Sequence, residues 1–178
     1  NRYKVDSPRE TFILVRGALR HILGEYLNLS PTEVPLIADD DSKPQLAEPF
    51  EAVQFNVSHT QGLALIALTH GASIGVDVEY VKPIADLASI AQRYFSPLER
   101  EQLLHLPECD QLRGFYRVWT RKEAYIKARG DGMRYPLHAF DVNAGESEQN
   151  LLLEDRLSPG APGTWHIQTL SVPAHYEG

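Results

Sequence analysis

Segments of two-residue and of 3.6-residue apolar period lie in blocks along this chain rather than alternating, and that ordering most limits its fold. Phe12, Val15, Leu19, Ile22, Leu23 and Tyr26 recur at helical spacing, which predicts a helix over residues 8–29, with a short turn starting at Ser30-Pro31. A polar loop at Asp39-Asp40-Asp41-Ser42-Lys43-Pro44 leads to three strands, over 52–57, 63–69 and 73–80, parted by His59-Thr60-Gln61-Gly62 and His70-Gly71. The pattern then turns helical over 84–94. A new helix starts with a capping box: Ser96 as N-cap, Pro97 at the first position and Glu99 at the third. A long helix follows over 110–129, with Gly130 as its left-handed terminator. Strands over 139–143, 151–154 and 165–172 close the chain, with loops at Ser158-Pro159-Gly160 and Ala161-Pro162-Gly163. Grouped strands and helices specify an α+β fold rather than a doubly wound parallel sheet. The recurrence of helix-then-strands implies two similar lobes.

Composition removes whole classes of alternative. With 178 residues, 43% hydrophobic and 23% charged, the chain can bury a core without staples and is neither disordered, collagenous nor a coiled coil. Cys109 is the only cysteine, so no internal disulfide is available. No apolar run approaches the ~18 residues of a membrane span, and no secretory leader opens the chain, so a soluble cytoplasmic protein is expected. A net charge of −7 argues against a nucleic-acid partner. The chain opens at Asn1 and stops at Gly178 just after an apparent strand, so further native sequence is expected at both ends.

Three segments carry candidate chemistry. In Gly75-Val76-Asp77-Val78-Glu79, strand geometry sends Asp77 and Glu79 to one face, either a solvated face or the start of a Mg²⁺ site. In Trp119-Thr120-Arg121-Lys122-Glu123-Ala124-Tyr125-Ile126-Lys127, Glu123 and Lys127 are four apart on a helix. They form either a surface pair or, among core aromatics, part of a site for a metal and a phosphate. Phe55-Asn56-Val57-Ser58-His59-Thr60 ends a strand in small donors and an imidazole, either a polar turn or a phosphate grip. The remaining histidines show no ligand spacing for zinc.

Together these segments resemble the 4′-phosphopantetheinyl transferases, specifically the larger, pseudo-dimeric, surfactin-synthetase-activating type. The matching motifs are Gly75-Val76-Asp77-Val78-Glu79, Trp119 through Lys127, Asn56-Val57-Ser58-His59 and Ser42-Lys43-Pro44, and the resemblance runs along essentially the whole chain. Ser42 stands where the family has glycine. The basic residue expected at the start of the first helix lacks a clean counterpart, with Arg9 out of register and Thr11 near its place. The resemblance implies lobes related by a pseudo-twofold axis, residues 1–72 and 73–178, the second carrying the signature motifs. It implies a monomer that binds coenzyme A between the lobes. It also implies Mg²⁺-dependent transfer of 4′-phosphopantetheine to a serine of an apo acyl or peptidyl carrier protein, releasing adenosine 3′,5′-bisphosphate.

By the same resemblance Asp77, Glu79 and Glu123 hold Mg²⁺. Glu123 also takes the serine proton, and Lys127 contacts the diphosphate and assists the leaving group. Lys43, Pro44, Ser58, His59, Lys122 and Lys127 contact coenzyme A, as does Asp77 through the ion. Arg113, Arg117 and Arg121 are either a carrier-recognition patch or a solvated helix face. The competing functions are a Mg²⁺-dependent phosphohydrolase using the same acids, and an inactive module that binds coenzyme A or a carrier protein.

Overall fold

A computed structural model describes residues 8–37, 43–146 and 151–178, except the side chains of Pro8 and Met133. The expected loop over residues 39–42, including Ser42, lies outside the described residues. Helix α1 (Pro8–Leu27) ends where Asn28 turns left-handed at φ 57°. Strands β1 (Leu36–Ile37) and β2 (Gln45–Leu46) pair next, followed by the hairpin of β3 (Val53–Thr60) and β4 (Leu63–His70). Thr60 lies opposite Leu63, and Gly62 takes the positive φ that this tight turn requires. Leu19 and Leu23 of α1 pack on Val34, Leu46, Val53 and Phe55, giving a first apolar core.

The second core surrounds α4 (Glu108–Arg129), against which α2 (Leu87–Tyr94) and α3 (Pro97–His105) pack. Phe115, Val118, Tyr125 and Ile126 supply its buried face, meeting Phe95, Phe140 and Val142. Gly130 closes α4 in the left-handed region, returning its N–H to Ile126 O, and the Ser96–Glu99 capping box opens α3. Two short ladders complete this half: β6 (Phe140–Val142) with β7 (Leu152–Asp155), and β5 (Glu79–Tyr80) with β8 (Tyr176–Glu177). Every ladder among the described residues is antiparallel and two-stranded, and helices and hairpins stay segregated, so the fold is α+β. No helix among the described residues is long and apolar enough to cross a membrane.

Four local expectations are corrected. Only Glu79 and Tyr80 of the expected 73–80 strand join a ladder, because the preceding residues are wedged between side chains and a helix. Residues 165–172 join no ladder, although the Leu170 N–H donates to Gly178 O at 3.0 Å, and strand pairing occurs instead at Tyr176–Glu177. The expected loop at 161–163 lies in a short helix, α5 (Ala161–Thr164). Strand β3 continues to Thr60, so Ser58 and His59 lie within a strand and not a turn.

Candidate active site

The acid-bearing segment is held by side chains in place of a neighbouring strand. Asn56, Ser58 and Thr60 alternate along β3 and so share one face. Asn56 Oδ1 accepts from the Val76 N–H at 2.8 Å, Ser58 Oγ from the Val78 N–H at 3.3 Å and Thr60 Oγ1 from the Tyr80 N–H at 3.3 Å. On the opposite flank Gly75 lies directly on α4. A Cβ there would stand 2.0 Å from Ala124 O and 2.5 Å from Ala128 N, so only glycine permits this approach. Lys43 ties the same segment down from a third direction, its Nζ donating to Ile74 O at 2.7 Å. Burial lowers the pKa of this ammonium.

Wedged in this way, the segment sets Asp77 and Glu79 against the face of α4 that carries Glu123 and Lys127. Asp77 Oδ1 accepts from Ser58 Oγ at 2.8 Å and from Lys127 Nζ at 2.6 Å. Its other oxygen, Oδ2, is buried and has no hydrogen-bond partner, an expensive state for a carboxylate that a cation would relieve. Burial raises the pKa of Glu79, with Asp77 adding to it; Lys127, Lys82 and a hydrogen bond from Thr60 oppose the rise. Glu123 is likewise raised by burial and then by Asp77, while Lys127 offsets part of the effect. Three mutually repelling carboxylates with one lysine among them form a donor set that suits a hard divalent ion. Among the described residues, however, no three acidic, histidine or cysteine side chains converge into a ready-made metal cage. The expected three-carboxylate convergence is thus a charged neighbourhood here, with Asp77 Oδ2 as its fully buried oxygen without a partner.

Lys127 links the acids to a cleft of about 670 Å³ lined by Lys43, Pro44, Asn56, Lys127, Gly130, Asp131, Gly132 and Arg134. Asp131 is neutralised by Arg129 at 2.7 Å, which leaves the lining net positive in a chain of charge −7. A smaller, mainly apolar trough of about 230 Å³ shares Lys43, Pro44 and Asn56 with it and adds Phe12, Leu19, Phe55, Arg16 and His59.

Several expected site residues lie elsewhere. Lys122 is fully buried on the far side of α4: its Nζ is 2.6 Å from Glu99 Oε1, donates to Leu137 O and Phe140 O at 2.7 Å each, and lies 4.0 Å from the Phe140 ring centroid. With its three donors spent, it has none for coenzyme A. The pleat of β3 also separates Ser58, which faces Asp77, from the exposed His59 beside the apolar trough. Arg113, Arg117 and Arg121 form neither a free patch nor a solvated face. Arg113 and Arg117 pair with the buried Glu177 at 3.2 Å each, and Arg121 donates to Gly145 O and Thr169 Oγ1 at 3.0 Å. Glu177 and Arg134 carry no signal in the sequence. Thr60, one of the small donors of the 55–60 segment, takes a more specific place here, since Asn56, Ser58 and Thr60 repeat at the strand period.

The chain belongs to the 4′-phosphopantetheinyl transferase superfamily, whose family model matches residues 73–176 and so includes Asp77, Glu79 and the Glu123–Lys127 helix. Among curated proteins it is similar to the 4′-phosphopantetheinyl transferase HetI of Nostoc sp. (strain PCC 7120), 44% identical over 135 residues, 75% of this chain and 57% of that protein. It is also similar to psf-1 of Bacillus pumilus, 33% identical over 177 residues (99% of this chain, 71% of the relative), and to Sfp of Bacillus subtilis (strain 168), 31% identical over 160 residues (89% and 67%). The chain thus spans a little over half the length of HetI.

Proposed function

We propose that this chain carries the active site of an enzyme that moves 4′-phosphopantetheine from coenzyme A to a serine of an apo acyl or peptidyl carrier protein. Family membership supports this class of transfer. The structural observation that carries it is the buried, unpartnered Asp77 Oδ2, with Glu79 and Glu123 nearby and Lys127 leading into a positive cleft. Asp77, Glu79 and Glu123 would hold Mg²⁺. This ion usually takes one or two carboxylates plus substrate phosphates, so a site finished only by the diphosphate of coenzyme A suits the donors present. When bound, the ion neutralises negative charge on the diphosphate.

The chain's own groups then divide the work. Lys127, held on Asp77 at the border of the cleft, contacts the diphosphate, and Lys43, Pro44 and His59 line the way to the nucleotide. The carrier serine oxygen attacks the phosphorus that bears the pantetheine arm. The bond to the adenylate phosphate breaks, and adenosine 3′,5′-bisphosphate leaves. Glu123 takes the serine proton: no hydrogen bond or ion pair holds its carboxylate among the described residues, which leaves an oxygen free to accept it. A fold of two similar lobes accommodates this, since residues 43–60 and 74–134 of one copy supply both walls. No second copy is required, and a monomer in the cytoplasm is the form we propose.

The test is labelling of an apo carrier protein by a fluorescent coenzyme A analogue. Labelling that requires Mg²⁺ and is lost in Asp77→Ala is expected. Phosphate or adenylate released from coenzyme A without any carrier would indicate a phosphohydrolase instead, and calorimetric binding of coenzyme A without turnover an inactive module.

A further inference from the structure

Ser58 and Thr60 are two residues apart on β3, and Asp77 and Glu79 are two apart on the facing segment. Each hydroxyl takes the backbone N–H of the residue that follows the facing acid. Ser58 Oγ accepts the N–H of Val78, the residue after Asp77, and donates to Asp77 Oδ1. Thr60 Oγ1 accepts the N–H of Tyr80, the residue after Glu79, which places its hydroxyl beside the Glu79 carboxylate, where it favours the charged form. An ionised carboxylate only accepts, so the Ser58 hydroxyl proton points at Asp77.

The hydrogen-bonding capacity of the Ser58 hydroxyl is fully used. A hydroxyl offers one proton and two lone pairs. The proton goes to Asp77, and the lone pairs receive the Val78 N–H and Lys127 Nζ, each at 3.3 Å. Ser58 is only 6% exposed, and nothing remains on it for a phosphate oxygen. With Oδ1 saturated by Ser58 and Lys127, Oδ2 is the oxygen of Asp77 left over.

We propose that Ser58 and Thr60 are positioning residues, each fixing one acid of the Asp77–Glu79 pair so that its free oxygen is presented to a divalent cation, and that Ser58 is not a ligand of coenzyme A. The proposal rests on the reading of these acids as a cation site. Fixing the carboxylates beforehand removes side-chain freedom that the ion would otherwise have to freeze, which is how outer-sphere partners commonly strengthen metal binding.

Mn²⁺ provides the probe, with bound and free ion counted by electron paramagnetic resonance on the full chain without coenzyme A. Ser58→Ala and Thr60→Val are each expected to weaken Mn²⁺ binding about tenfold. In labelling assays they should lower kcat while KM for coenzyme A changes less than twofold. Thr60→Ser keeps the hydroxyl and should recover most of the affinity; this pair decides the matter if Ser58→Ala fails to fold. Wild-type Mn²⁺ affinity in Ser58→Ala and Thr60→Val, with a raised KM for coenzyme A in Ser58→Ala, would overturn the proposal alone. A wild-type chain that binds no Mn²⁺, with or without coenzyme A, would overturn the cation site and the proposal with it.

Discussion

Lys127 Nζ lies 2.6 Å from Asp77 Oδ1, and it also reaches Ser58 Oγ and Val76 O at 3.3 Å. An α4 lysine therefore holds the acid-bearing segment at its most charged point, where it also borders the positive cleft. Removing it has two consequences of different size. Asp77 loses one of two partners on Oδ1, which costs about 1–2 kcal/mol. The diphosphate loses a preorganised cation, and electrostatic groups of this kind contribute about 100-fold or more to turnover. Lys127→Ala is expected to lower kcat at least 100-fold while the thermal midpoint falls by only a few degrees. Near-normal turnover with a lowered midpoint would restrict the pair to a structural role.

Gly75 meets α4 where no side chain fits. The obstructing atoms, Ala124 O and Ala128 N, are helix backbone and cannot rotate away. Gly75→Ala must therefore push the segment off α4, at a cost of roughly 3 kcal/mol, or about 6–12 °C in a chain of this size. The same movement carries Asp77 away from Lys127. Activity measured well below the new midpoint should fall more than tenfold, and activity that merely follows the folded fraction would contradict this account.

The elements that local chemistry encodes were the legible ones. The Ser96–Glu99 capping box and the Gly130 terminator depend on residues a few positions apart, and both stand as read. Asp77 and Glu79 stood out because acids are uncommon in strand-like sequence. The two-residue period over 73–80 predicts a ladder strand, but that period reports alternating faces and says nothing of what satisfies the amides. Here side chains of β3 do so. The Lys122 error was avoidable. Residues 118, 125 and 126 share its side of the helix and are core, whereas Glu123 shares its side with Lys127. The partner of Arg113 and Arg117 was out of reach, since Glu177 lies some 60 residues away and no local pattern joins them.

Lys122 and Glu99 supply a prediction that separates structure from ligand binding. Both side chains are fully buried, and Glu99 also accepts from the Ser96 and Val142 amides. Burial pushes the glutamate pKa up and the lysine pKa down, each partner restraining the other. Lys122→Met strands the carboxylate and should cost about 3–5 kcal/mol in urea unfolding. Adding Glu99→Gln removes that charge, and the double variant should regain at least half the loss. Its KM for coenzyme A should match wild type within twofold. A large KM increase in the folded double variant would return Lys122 to the ligand.

Asp155 gives the pH dependence. It is fully buried, which would raise its pKa, yet hydrogen bonds from Tyr125, Tyr135 and the Leu157 and Ser158 amides outweigh burial and hold it below the usual value. A depressed native pKa means the unfolded chain takes up the proton first. The stabilisation is therefore complete above the unfolded value of about 4 and drains away as the pH falls through and below it. At the alkaline end the signs reverse in consequence. Burial, and then the bond to Asp155, push Tyr125 up to about 12, so the unfolded chain ionises first and stability falls once the pH exceeds about 10. Urea unfolding from pH 3 to 11 should show both limbs. Asp155→Asn should lower the plateau and flatten the acid limb below pH 4, and an acid limb of unchanged steepness in that variant would assign it to other carboxylates.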